Sequence, residues 1–197
     1  MTSQSVEKRV ATRLAPDVRR RQIVTEATRL ISISGFNAVS LEDIAKACGI
    51  RGPSVLHYFG SMHELLAAVL AHRDEIDSQN PPPPETLATP ESTRAFFRTS
   101  VERNLERPQI VRLYAVLGAE AIDPGHPAHE YFAQREQNAY DGLELALEWK
   151  SNPALAAREL MSFWTGLERQ WVMNPSIDFT AVWDYFADRF FVADEVG

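Results

Sequence analysis

Three groups of residues in this chain have the types and spacing to do chemistry. Arg51 opens the run RGPSVLHYF, with Ser54, His57 and Tyr58 behind it, a set of donors suited to phosphate oxygens and base edges. His126 and His129, with Glu130 alongside, make a His-x-x-His pair of the kind that ligates zinc when both imidazoles face inward. Cys48, the one cysteine, would attack a substrate only as a thiolate. The zinc reading, a helical metal-binding protein or enzyme, is the alternative to a DNA-binding role for Arg51 and its neighbours. It is weakened by Pro127 between the histidines and by the absence of an evident third ligand. Cys48 falls at a helix C-terminus, which disfavours thiolate, so a buried and inert thiol is expected. No Gly-rich phosphate loop, nucleophile elbow or paired carboxylates occur, so no enzymatic activity and no cofactor are expected.

The elements that must position Arg51 are legible from caps and breakers. Ile23, Ala27, Leu30 and Ile31 share one face of a helix over about 17–34, and Gly35 stops it. Ser40 with Asp43 reads as a capping box opening a second helix that ends at Gly49. A third, short helix runs from about Pro53 to Phe59, and Ser61 with Glu64 caps a longer fourth. The spacing of the second and third is that of a helix-turn-helix. Ala45 is small where the helices approach, and Gly49 is free to take positive φ at the turn. Ile44, Cys48, Ile50, Val55 and Tyr58 fall where the two helices pack, and Leu41 and Phe59 are also assigned to packing.

After the fourth helix comes NPPPPETLATP, residues 80–90, whose prolines predict a stiff, extended connector, with a partner-binding proline motif as the competing reading. Five more helices are expected at roughly 91–106, 109–122, 127–149, 153–173 and 178–192. Asn152-Pro153 is a cap followed by a first-turn proline. The fold class is therefore all-α with about nine helices: an N-terminal three-helix, helix-turn-helix DNA-binding domain and a C-terminal helical domain. The expected boundary divides 1–60 from 61–197, with 61–79 as the connecting helix.

Charge respects that boundary. The chain carries a formal net charge of -7. Residues 1–60 hold nine Lys or Arg against five Asp or Glu, and residues 61–197 hold eleven against twenty-two. The front is positive and suited to a polyanion, whereas the rest would repel one. The N-terminus is charged without an apolar core, and no apolar run reaches the ~18 residues of a membrane span. A soluble, cytoplasmic protein with no membrane partner is expected.

VSLEDIAKACGI-RGPSVLHYFGSMHELL resembles the DNA-binding domain of the tetracycline-repressor (TetR) family. Gly35-Phe36, Ser40, Ile44-Ala45, Gly49, Phe59-Gly60-Ser61 and Glu64-Leu65 fit the family pattern. Two positions depart from it. Met62 stands where the family usually has a phosphate-contacting lysine, and Leu56 stands where a tyrosine is usual. The resemblance implies that the third helix enters the major groove, with Arg51, Gly52, Pro53, Ser54, His57 and Tyr58 towards the duplex. Arg51 is the candidate for a guanine edge. Ser40, Arg13, Arg19, Arg20 and Arg21 are candidates for the backbone, and Arg13, Arg19, Arg20 and Arg21 also for the minor groove.

For the C-terminal helices the resemblance implies a ligand-responsive regulator, most naturally a repressor. It would bind a palindromic operator as a homodimer and be released by a small effector. Aromatic content suggests an apolar or aromatic effector, lined by Phe97, Tyr114, Leu117, Phe132 and Trp164, with Glu120 or His126 adding a polar contact. Stripes on the last two helices, Leu160, Met161, Trp164, Leu167 and Trp171 and then Phe179, Val182, Trp183, Phe186 and Phe190, suit dimer pairing. Burial within the same chain is the competing reading of both sets.

Overall fold

The computed structural model of the chain describes residues 14–77, 84–87 and 89–192. Arg13, a candidate for the DNA backbone and minor groove, and Pro81 to Pro83 lie outside these residues. The described part is helical without strands: α1 Pro16–Ser34, α2 Leu41–Ala47, α3 Gly52–Phe59, α4 Met62–Asp77, α5 Pro90–Glu106, α6 Pro108–Glu120, α7 His129–Ala146, α8 Pro153–Met173 and α9 Phe179–Phe190. Local chemistry sets most of these ends. Proline occupies the first turn of α1, α3, α5, α6 and α8, where its missing N–H is no loss. The Ser40–Asp43 capping box opens α2, with Ser40 Oγ accepting the Asp43 N–H at 3.2 Å and Asp43 accepting the Ser40 N–H at 3.0 Å. Asn152 and Asp178 cap α8 and α9 by accepting the N–H groups of Leu155 and Ala181.

The prolines of 80–90 predict an extended connector. Its described end instead coils into a short 3-10 turn, Pro84–Leu87. Thr93, fully buried, ties that turn down by donating its hydroxyl to the Leu87 carbonyl at 2.6 Å, with the Ala146 carbonyl at 3.3 Å.

Two apolar cores organise the helices. The first unites Ile23, Ala27 and Ile31 of α1 with Ile44, Ala45, Val55 and Phe59 of the helix-turn-helix and Leu65, Leu66, Val69 and Leu70 of α4. It also takes in Leu113, Leu117 and Ala121, so it does not stop near residue 60. The second packs Phe97 and Val101 of α5, Val111 of α6, Leu143 and Leu147, and the inner faces of α8 and α9. Two ion pairs brace α5 against α9, Arg98 with Asp184 at 2.6 Å and Arg94 with Asp188 at 2.5 Å.

The stripes suited to dimer pairing serve mainly this second core. Leu160 and Trp183 are fully buried in their own chain, and Leu167, Trp171 and Phe186 are at most 8% exposed. All five pack in the core of their own chain, which leaves Leu160 and Trp183 no exposed surface for a partner. Trp164, Phe179 and Phe190 are core residues by the same test. Phe186 stacks on Phe163 with centroids 3.8 Å apart, and Trp183 lies against Phe97 at 5.4 Å. Met161 is half-buried against the core, and Val182 is exposed. The outward positions also include Leu155, Met173 and Tyr185, the last 70% exposed.

Core packing and capping each predict a stability change. Leu160→Ala should lower unfolding free energy by about 2–5 kcal/mol in chemical denaturation, by lost burial plus a cavity. Ser40→Ala should cost about 1 kcal/mol. Asp43's carboxyl is held below its ordinary value, first by the Ser40 hydroxyl and then by the Ser40 N–H. Its contribution is therefore complete above the ordinary carboxylate range and is lost as pH falls through the lowered value. The stability gap between wild type and Asp43→Asn should close on acidification.

Candidate nucleic-acid interface

The turn between α2 and α3 is built from backbone bonds that leave α3 standing outward. Cys48 N–H donates to the Ile44 carbonyl at 3.0 Å, Gly49 N–H to Lys46 at 3.2 Å and Ile50 N–H to Ala45 at 2.9 Å. Gly49 has φ 66, the left-handed backbone that a Cβ would strain. Ile44, Ala45 and Val55 are fully buried beneath the turn, and Tyr58 and Leu41 pack at the edge of the same core. Cys48 is also buried; burial pushes its thiol pKa up, and the Glu26 charge adds to this against the opposing Arg19. It is a structural residue.

On the outer side, Arg51 is exposed at the N-cap of α3; its carbonyl accepts the Ser54 N–H at 2.9 Å, and among the described residues no hydrogen bond or ion pair ties its side chain down. Pro53 and His57 are exposed and Ser54 half-buried, with the His57 ring edge-on to Tyr58 at 5.7 Å. Gly52 is buried. A Cβ there would lie 2.6 Å from Oε2 of the exposed Glu42 side chain. An open groove of about 660 Å³ runs between the start of α1 and α3, walled by Arg19, Pro53, Ser54, His57 and Tyr58 with Leu14, Pro16 and Ile50. These last three carry no polar signal in the sequence that would mark them as part of an interface.

The three arginines of α1 differ. Arg19 donates to the Cys48 carbonyl at 3.1 Å and to Gln22 Oε1 at 2.7 Å, placing a cation at the C-terminal end of α2. Arg20 lies over the Phe59 ring, 4.3 Å from its centroid. Arg21 is exposed, and only its backbone carbonyl is engaged, by Thr25. Arg19 and Arg20 thus brace the head as well as charging it. Ser40 is exposed but its hydroxyl is engaged by Asp43. Met62, the departure from the lysine pattern, is half-buried against the first core, and Leu56 is exposed.

The five candidate effector contacts do not form one site. Phe97 and Trp164 touch each other in the second core with centroids 5.2 Å apart. Leu117 is fully buried in the first core, with Tyr114 and Phe132 at its edge. A shallow apolar groove of about 210 Å³ lies between α4 and the start of α7, lined by His63, Leu66, Ala67, Leu70, Ala71, Pro127 and Tyr131. Tyr131 also pairs its hydroxyl with that of Tyr114 at 2.6 Å. Glu120, the candidate polar contact, has its carboxylate bound to the Phe36 N–H at 2.8 Å.

The histidines do not converge as metal ligands. His126 Nδ1 accepts the Ala128 N–H at 3.2 Å, and His129 Nδ1 lies 2.8 Å from the Ala121 carbonyl. Among the described residues no three His, Cys, Asp or Glu side chains are grouped to hold a metal ion, which removes the support for the zinc alternative. Nor is any helix there long and apolar enough to cross a membrane.

Comparison with known proteins agrees with this geometry. Residues 23–69 match the family model of bacterial regulatory proteins, tetR family. The HTH-type transcriptional regulator BetI of Rhizobium meliloti is 31% identical over 110 residues, a match spanning 53% of this chain and about half, 52%, of that protein. Among solved structures, NalD, the secondary repressor of the MexAB-OprM efflux pump in Pseudomonas aeruginosa, superposes with TM-score 0.66 at 20% identity, covering 90% of this chain and 96% of that one. AibR, in complex with isovaleryl coenzyme A and operator DNA, gives TM-score 0.67 at 21% identity, covering 88% and 98%. These two share the fold along nearly their whole length. The helix-turn-helix that α2 and α3 build lies within the segment, residues 23–69, that matches the tetR family of bacterial regulatory proteins.

Proposed function

We propose that this chain is a ligand-responsive transcriptional repressor that binds a palindromic operator as a homodimer. The observation that carries the reading is the outward-standing α3, with the Arg51 side chain unpartnered among the described residues at its head and His57 exposed along it beside a groove that Arg19 walls. Arg51 reads a guanine edge, Ser54 and His57 contact bases or phosphates, and Arg21, with Arg19 and Arg20, adds attraction for any sequence. Gly52 and Pro53 let the helix start approach the duplex, and Tyr58 and Ser40 stand at the margin. The division of labour is a DNA-reading head over 1–60 and an effector and pairing body over 61–197.

Pairing is assigned to the outer faces of α8 and α9, where Val182, Tyr185, Leu155 and Met173 are exposed and Met161 is half-buried. Half-sites joined by a two-fold give the length of contact that one short helix lacks. The effector is a small apolar or aromatic molecule. Its seat is the α4–α7 groove, reached through Tyr131 by Tyr114, with Leu117 and Phe132 behind. Support for a bound ligand and an operator comes from AibR, solved with both, and support for repression from NalD. The protein acts in the cytoplasm and catalyses no reaction.

Selection of bound fragments from genomic DNA, with titration of the recovered sites, tests the reading. Wild type should recover a palindrome and lose affinity linearly in log salt. Arg51→Ala should weaken discrimination at one guanine by about 1–3 kcal/mol, whereas Arg21→Ala should weaken every sequence evenly and reduce the salt slope by about 1. No preference over random duplex would overturn the proposal. Sedimentation tests pairing: Tyr185→Glu with Val182→Glu should shift a dimer towards monomer without lowering helicity. A wild-type chain that sediments as a monomer would contradict it.

A further inference from the structure

Among the described residues, a carboxylate fastens the turn between α1 and α2 to the end of α6. Glu120, the last residue of α6, accepts the Phe36 N–H on Oε2 at 2.8 Å and the Asn37 N–H on Oε1 at 3.4 Å. Both amides belong to the turn between α1 and α2, directly after Gly35, whose φ is 82. The approach is close: a Cβ on Gly35 would lie 2.5 Å from Glu120 Oε1. Consecutive turn amides converging on an anion are a recurrent binding geometry, here filled by the chain's own carboxylate.

A second donor waits beside it. His126, in the α6–α7 connection, has a side chain only 2% exposed. Its Nδ1 accepts the Ala128 N–H, which places the ring proton on Nε2. That Nε2 has no hydrogen-bond partner and lies 3.9 Å from Glu120 Oε2, beyond hydrogen-bond reach. A buried donor left unpaired is destabilising, so a closer approach is favoured whenever the packing allows it. Phe36 fills the corner, its ring edge-on to His126 with centroids 5.5 Å apart.

We propose that Glu120 is a positioning residue for DNA recognition: its carboxylate fixes the pitch of the head on α6, and His126 is the donor it takes up when α6 shifts. The inference rests on the regulator reading and gives it a joint. A movement of α6 on the order of 1 Å brings Nε2–H within reach and lengthens the already weak Asn37 bond, so one carboxylate shared by three donors has two arrangements. Pro127, next in sequence to His126, walls the α4–α7 groove, so a molecule seated there bears directly on the joint. Pitch matters only when two heads must meet two half-sites together.

The test compares full-length wild type, Glu120→Ala and Glu120→Gln on the selected operator and on a duplex holding one half-site. Glu120→Ala should bind the two-site operator at least tenfold more weakly yet stay within twofold on the half-site. Glu120→Gln, which keeps a carbonyl acceptor, should fall between. Equal losses on both duplexes, or none in either variant, would overturn the proposal. Should Glu120→Ala not fold, Glu120→Gln alone decides, needing a selective loss on the two-site operator. Intrachain energy transfer between dyes on Lys46→Cys and Glu159→Cys needs no DNA, and should broaden in Glu120→Ala; an unchanged width would also overturn it. If wild type preferred no DNA sequence, the regulator reading would fall, and this width would still decide the joint.

Discussion

Helix α6 is a constituent of both cores, and the rest of the molecule depends on that. Leu113, Leu117 and Ala121 recur every four residues and bury against α1 and α4, while Val111, about 200° around the helix from Leu113, enters the second core. A helix gripped on opposite sides cannot slide without repacking one of them. The head is therefore carried as part of a continuous apolar body rather than hung from α4 by a tether. Interiors packed to this density answer displacement by switching between arrangements, not by yielding smoothly.

That constraint explains what is left free. The buried faces of α1, α2 and α4 supply the apolar partners of Val55 and Phe59, so α3 is anchored from beneath and its opposite side stays open. Residues 1–60 carry a net positive charge, and the acidic excess lies in residues 61–197. A polyanion approaching from the α3 side meets arginines first and is repelled from the rest, which orients encounter before any base is read. Arg19 and Arg20 show the economy of this arrangement. The first satisfies the end of α2 and walls the groove beside α3, and the second covers Phe59.

Much of this is legible in the residue order because it is local. Caps, first-turn prolines and positive-φ glycines act within four residues, so α1 to α6, α8 and α9 begin and end within about two residues of where those signals fall. The helix-turn-helix packing set is legible for the same reason. For α7 the signals suggest 127–149, whereas the helix spans His129–Ala146, since its start is turned by the His126 corner and no strong cap marks it. What periodicity cannot decide is which of two surfaces an apolar stripe serves. Leu160 and Trp183 have the spacing of an interface and the burial of a core. Neither can the order of residues show that Glu120 meets an amide 84 positions away, or that Arg19 reaches Cys48.

Guanine N7 faces the major groove, and protection of that atom from methylation reports directly on what sits there. With wild type bound to its selected operator, the account predicts protected guanines in two clusters about one helical turn apart. One guanine in each cluster should regain full reactivity when Arg51 is replaced by alanine. Protection confined to the minor groove, or major-groove protection indifferent to Arg51, would contradict it.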